Sequence, residues 1–288
     1  MCAHCKHWND RPIPLLHREG HAAPTCQPWR TIGLNPDSSK GAQFMEMNDD
    51  LRDMALNRYG YGCWEAPYWF LGVEEGVDSK RESVDRRERI ATWRELGSLE
   101  LDDCREFHDC LYDRLNTENP LHGKGAKLQR TWKNLIRALM VFDGKLQDSE
   151  DYDCRLKYQK EKWGYRTSET CVIEFSGLAT RNTKDRGPHT LYRAERIKFL
   201  REKICLHNPQ FVAVYGTSDR KPWGKISEGA SREIGARIID MNGRTFAEFR
   251  LLGRTILVLA HHPLYTAPEN WKKLGTTLRR LVDESPQA

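Results

Sequence analysis

The chain has 288 residues, room for one full-sized domain with additions or for two small ones. Hydrophobic residues make up 39% and charged residues 30%, and the longest apolar runs, such as 256–260, are only strand-length; the expectation is a solvated globular protein with no membrane partner. A net charge of +5 suits a polyanion without demanding one, and nine cysteines behind an opening stretch, MCAHCKHW, that has no apolar core give the expectation of a reducing, cytoplasmic setting.

In chain order, residues 1–30 come first and stand apart, rich in Cys, His and Pro with little periodicity. They are expected to form a small appendage to a domain spanning 31–288. Cys2, Cys5, His17, His21 and Cys26 approximate the spacing of a zinc finger, with Cys26 as a substitute ligand. A structural zinc on Cys2, Cys5, His21 and Cys26 is one reading and a set of free side chains the other; no cofactor is expected for catalysis. Residues 68–73 read as a buried strand. A charged insertion at about 77–126, helical in part, follows it; there Arg81, Arg86, Arg87, Arg89 and Arg94 interleave with Glu82, Asp85 and Glu88.

Leu128, Trp132, Leu135 and Leu139 then share one helical face, with Arg130, Lys133 and Arg137 opposite. Three more strand-like runs follow, at 171–175, 211–215 and 255–260. Ile197, Leu200 and Ile204 form a helical stripe between the first two, closed by Pro209. A last helix carries Trp271, Leu274, Leu278 and Leu281, with Thr266 and Glu269 spaced as a capping box. Strands alternating with helices imply an α/β fold of three layers, αβα, around a central four-stranded parallel sheet. Ligands of such sheets sit at the carboxyl ends of the strands.

Two motifs fall at such ends. The first strand runs into Gly72-Val73-Glu74-Glu75-Gly76, a tight turn that presents carboxylates; the last runs into His261-His262-Pro263-Leu264-Tyr265. Taken singly, each reads as readily as an ordinary loop. Taken together, a strand followed by GxxxG and a strand followed by His-Pro before the final helix resemble the two signature motifs of the uracil-DNA glycosylase superfamily. The order of elements matches over roughly 66–283. Three positions depart from the family pattern: Glu75 stands where proline is usual, Leu264 where serine is usual, and Glu174 where a pocket asparagine is expected. Some branches of the superfamily carry an iron–sulfur cluster on an N-terminal Cys-x2-Cys, but Cys154, Cys171 and Cys205 offer no matching second pair.

The resemblance implies a monofunctional DNA glycosylase. Cleaving an N-glycosidic bond builds positive charge on the sugar and negative charge on the departing base. Glu74 would stabilise the cation and orient water, and His262 would donate a hydrogen bond to the base oxygen. Gly72 and Glu75 would border the base. Leu264 and Tyr265 would enter the gap left by the flipped nucleotide, although packing against the last helix explains them equally well.

Glu174 lies within an apolar run, so its carboxylate is expected to be buried; its acceptors match the exocyclic amine of cytosine, with Ser176 on the same side. An internal ion pair, for instance with Arg181, is the competing explanation. Double-stranded DNA is the expected partner, held by Arg130, Lys133, Arg181 and Lys184, with no obligate protein partner evident; the Arg130, Lys133, Arg137 face and the Arg81, Arg86, Arg87, Arg89, Arg94 cluster are candidate phosphate contacts that read equally as solvated helix faces. The function expected is excision of a modified cytosine, such as hydroxymethyl- or glucosyl-cytosine in phage DNA, as antiviral defence. The alternatives are uracil or deaminated-base repair, a non-catalytic DNA-binding module, and, more weakly, a metal hydrolase using His261 and His262.

Overall fold

The computed structural model describes residues 49–73, 75–76, 82–179, 192–216, 221–228, 231–240 and 242–284. The expectations at 1–30, Glu74, Arg81, Arg181 and Lys184 lie outside these residues.

In chain order the strands are β1 (Gly60–Tyr61), β2 (Tyr68–Gly72), β3 (Leu101–Asp102), β4 (Thr170–Glu174), β5 (Phe211–Tyr215), β6 (Ser231–Ile239), β7 (Thr245–Leu252) and β8 (Thr255–Ala260). The helices are α1 (Asp49–Asn57), α2 (Glu82–Glu95), α3 (Cys104–Arg114), α4 (Trp132–Phe142), α5 (Leu146–Glu150), α6 (Tyr152–Glu161), α7 (Arg193–His207), α8 (Lys221–Ile226) and α9 (Pro268–Glu284).

The four apolar runs of the sequence are strands β2, β4, β5 and β8, each shifted by no more than a residue. They are neighbours, in the order β4-β2-β5-β8, and each adjacent pair is parallel. The sheet around them is larger than the four strands expected from the sequence. It has eight strands and is mixed, in the order β3-β1-β4-β2-β5-β8-β7-β6, because β1 pairs antiparallel with β4 and the β6–β7–β8 meander extends the other side. Asp240 shapes the β6–β7 turn by accepting the backbone N–H groups of Asn242 and Arg244 at 2.9 and 2.8 Å.

Side chains alternate across this sheet. Trp69, Cys171, Val212 and Leu257 lie in register on one face and pack with Ile197, Leu200 and Ile204 of α7. On the other face Phe70 meets Trp163 at 4.8 Å, and Phe211 meets Phe142 of α4 at 5.3 Å. Each fully buried large apolar side chain contributes about 1.5–3 kcal/mol, so both faces hold the parallel strands firmly. Asn208, left-handed with φ 48°, ends α7 just before Pro209 and turns the chain into β5.

Two helical expectations change. The helix expected to include Leu128 starts four residues later, at Trp132, because the Gln129 side chain accepts the N–H groups of Thr131 and Trp132 at 2.6 and 2.7 Å. Arg137, expected on a solvated face, is buried; its guanidinium donates to Asn134 and lies 3.8 Å from Glu150 of α5. At the start of α9, the Thr266 hydroxyl donates to the His262 carbonyl at 3.2 Å and accepts from the Trp271 indole at 2.7 Å. It thus fastens the His-Pro turn to the helix.

Candidate functional site

The carboxyl edge of the four parallel strands carries the residues of interest. Gly72 lies opposite Glu174 in the β2–β4 register; level with it, Tyr215 of β5 lies opposite Ala260 of β8. The absent side chain at Gly72 has a purpose: a Cβ there would overlap the Glu174 carboxylate, which lies across it. Beyond it, the buried Tyr215 phenol lies within electrostatic reach of Glu174. Burial and that carboxylate together push the phenol's pKa well above its usual value, so Tyr215 stays a donor. Glu174 itself is 9% exposed.

After β2 and β4 the two chains stay paired, with the N–H groups of Phe175 and Ser176 donating to the carbonyls of Gly72 and Val73 at 3.0 Å each. This extension delivers Glu75 and Ser176 to a recess lined by Met54, Arg58, Glu75, Arg89, Glu174 and Ser176, among others. The Ser176 hydroxyl donates to the Leu178 carbonyl at 3.0 Å, so its proton is already used; a lone pair remains to accept from a ligand.

Glu75 is held by two guanidinium groups. Arg58 Nη1 lies 3.4 Å away and Arg89 Nη1 is in direct contact. Burial raises the Glu75 pKa, but Arg89, then Arg58, then His108 more than offset it, and the carboxyl is held down at about 2. Arg58 also donates through Nε to buried Asp102 at 2.8 Å, and its guanidinium lies over the rings of Phe107 at 4.1 Å and Tyr61 at 4.7 Å. Arg89 is clamped by Asp85 as well. Arg89 is therefore neither a solvated helix charge nor a free phosphate ligand: α2 turns it inward. Arg87 pairs with Glu88, and Arg94 with Asp50 and Asp53, on the surface.

His262 stands two strands along the same edge and does not line the recess. Its Nδ1 accepts the Leu264 N–H at 3.1 Å. Burial lowers the ring's pKa, so at neutral pH it is uncharged, and with Nδ1 accepting, its proton sits on Nε2. Gly216, with φ 80°, lies under the ring; a Cβ there would come within 3.0 Å of it. The next residues form one turn of 3-10 helix, Pro263–Tyr265, from which Tyr265 projects 82% exposed while Leu264 is partly covered. Asn134 donates to the Pro263 carbonyl at 2.8 Å, tying the first turn of α4 to this turn. Exposed Arg130 and partly covered Lys133 flank that tie in sequence. His261 is exposed and its backbone N–H bonds to Phe246 of β7.

The structure thus gathers Gly72, Glu75, Glu174 and Ser176 on one side of the edge, and His262, Leu264 and Tyr265 on the other. Sequence reasoning missed Arg58, Asp102 and Tyr215, none of which belongs to a motif. It also missed a separate cluster: Cys104, His108 and His122, all buried, bring ligand atoms within 4.8 Å of one another and could hold a metal ion. Cysteine and histidine four residues apart on α3 were a readable signal. No protein-family model matches the chain, and no curated protein matches it in sequence.

Proposed function

We propose that the chain is a monofunctional DNA N-glycosylase with a uracil-DNA glycosylase-like, three-layered core around its parallel strands. Its substrate is a flipped-out cytosine-type base, such as hydroxymethyl- or glucosyl-cytosine in phage DNA, and its role is antiviral defence. One observation carries the reading. A buried carboxylate, Glu174, and a neutral histidine with its proton on Nε2, His262, stand along the carboxyl edge of one set of adjacent parallel strands.

The chemistry follows from what each group can do. Glu174 accepts from the exocyclic amine of the base, and the Ser176 lone pair adds a second acceptor. His262 Nε2–H donates to the base oxygen as negative charge develops there, and an uncharged imidazole does so without first giving up a proton. Glu74 stabilises the cationic sugar and orients water. Tyr265, already exposed beside His262 with ring centres 5.3 Å apart, fills the gap left in the stack. Arg130 and Lys133, with Arg181 and Lys184, hold the phosphates. Glu75, fixed by two arginines, shapes the recess as a permanent anion. A structural zinc on Cys2, Cys5, His21 and Cys26 belongs to the same proposal.

The test is an abasic-site assay on duplexes carrying uracil, cytosine, hydroxymethyl-cytosine or glucosyl-cytosine, with Glu74→Gln and His262→Ala as controls. Release of a cytosine-type base, lost in both variants, is expected. Release of uracil alone would replace the cytosine assignment with a repair role. Tight duplex binding with every base retained would make the protein a binding module.

A further inference from the structure

We infer that Cys104, His108 and His122 form a second, internal site for a zinc-like divalent metal ion, in the core of the charged insertion. Cys104 is the first residue of α3 and His108 lies one turn on, so both project from the same helix face. His122 comes from the loop after α3. Asn119 fixes it there, accepting the N–H groups of Leu121 and His122 at 2.9 and 3.1 Å while donating to Asp109 of α3 at 2.7 Å.

The sulfur–nitrogen spacing suits a metal better than it suits hydrogen bonding. Cys104 Sγ lies 3.6 Å from His108 Nδ1 and 3.7 Å from His122 Nε2. In a tetrahedral zinc site, with sulfur at about 2.3 Å and nitrogen at about 2.1 Å from the metal, sulfur and nitrogen stand about 3.6 Å apart. As sulfur hydrogen bonds these contacts are long and weak, yet all three side chains are withdrawn from water, at 0%, 4% and 5% exposure. His122 Nδ1 is buried with no hydrogen-bond partner among the described residues, so its ring is oriented by something other than a bond on that side. A thiolate with two imidazoles is a donor set that zinc accepts, a water filling the fourth position.

Binding is balanced in protons. Cys104 loses its thiol proton to solvent as the metal–sulfur bond forms. The His108 Nδ1 proton, donated to the Cys104 carbonyl at 2.7 Å, is given up, and Nε2 takes one instead; Nε2 faces the Tyr61 hydroxyl at 3.4 Å, which becomes its acceptor. The site lies under the charged network. Phe107, beside His108, carries the Arg58 guanidinium, and Gly164 lets the chain pass close to both Cys104 and Tyr61. A metal here ties α3 to the loop that carries His122 and, through the His108–Tyr61 contact, steadies the platform on which Arg58 holds Glu75.

The experiment uses the full chain with Cys2, Cys5 and Cys26 changed to Ser and His17 and His21 to Ala, which removes the N-terminal candidate ligands. Metal analysis should find about one equivalent of zinc, as for a structural site. Cobalt added after chelation should give a near-ultraviolet thiolate charge-transfer band. His122→Ala on this background should lose the zinc, and His122→Cys should regain it with a stronger band. Absence of both zinc and the cobalt band from the background variant overturns the site, and so does full zinc retention by His122→Ala. Because the cobalt band is read with Cys104 in place, the test decides the matter even where Cys104→Ala fails to fold.

Discussion

At the β2–β4 end of the carboxyl edge, Arg58 and Arg89 commit their protons to Glu75, Asp102 and Asp85. At the β5–β8 end, His262 anchors only Nδ1 internally, no partner takes Nε2 among the described residues, and Tyr265 stands in solvent. The first end sets charge against charge, with Arg58 Nη2 and Asp102 Oδ1 buried and outside the hydrogen bonding among the described residues. Its groups cannot move without exposing a buried ion, so it acts as a rigid wall. The second end keeps polar and aromatic groups for a partner. Substitutions at the first should therefore cost stability, and substitutions at the second should cost function.

The largest effect is expected at Arg58. Arg58→Met strands the carboxylate of Asp102 and leaves Glu75 to Arg89 alone, and denaturant unfolding should report a loss of about 3–5 kcal/mol. The triple variant Arg58→Met, Glu75→Gln, Asp102→Asn should recover part of that loss, because no buried charge is left alone. His262→Ala probes the open end. Base release should fall about 100–1000-fold, as for loss of one donor to a developing anion, while stability changes by less than about 1 kcal/mol. A large stability loss at His262 would erase the distinction between the two ends.

Acid separates the two ends further. The Glu75 pKa is about 2 in the folded chain against an ordinary 4.5, so its contribution is complete above about 4.5 and is lost as pH falls through the interval toward 2. In that window stability should decline by up to about 1.4 kcal/mol per pH unit on account of this group, and the decline should flatten in Glu75→Gln. Tyr265→Ser should have the smallest effect on folding, within about 0.5 kcal/mol, since the ring is mostly in water. Under the proposed function it should still weaken binding to a duplex containing a flipped base, read by fluorescence anisotropy.

The central strands were legible because β2, β4, β5 and β8 are buried on both faces and read as unbroken apolar runs. β7 was missed because Glu248 and Arg250 alternate with its buried residues, and β1 and β3 because two residues carry no periodicity. Within the site, Gly72, Glu174 and His262 could be read from strand ends. Arg58 and Arg89 could not, since apart from Asp85, four residues from Arg89, their partners are 14 to 44 residues distant and only folding reveals that their charges face inward. Arg137 failed for the same reason, α5 having covered what a lone helix would leave exposed.

The close approach at Gly72 constrains how this sequence can change over time. A side chain at 72 must displace the Glu174 carboxylate from where it lies, so the two positions are coupled. With Glu174 present, Gly72→Ala forces that carboxylate out of its present position; once 174 is shortened, 72 is released and the constraint lifts. The pair behaves as one coupled unit, and a change at 174 would leave its mark first as tolerance at 72.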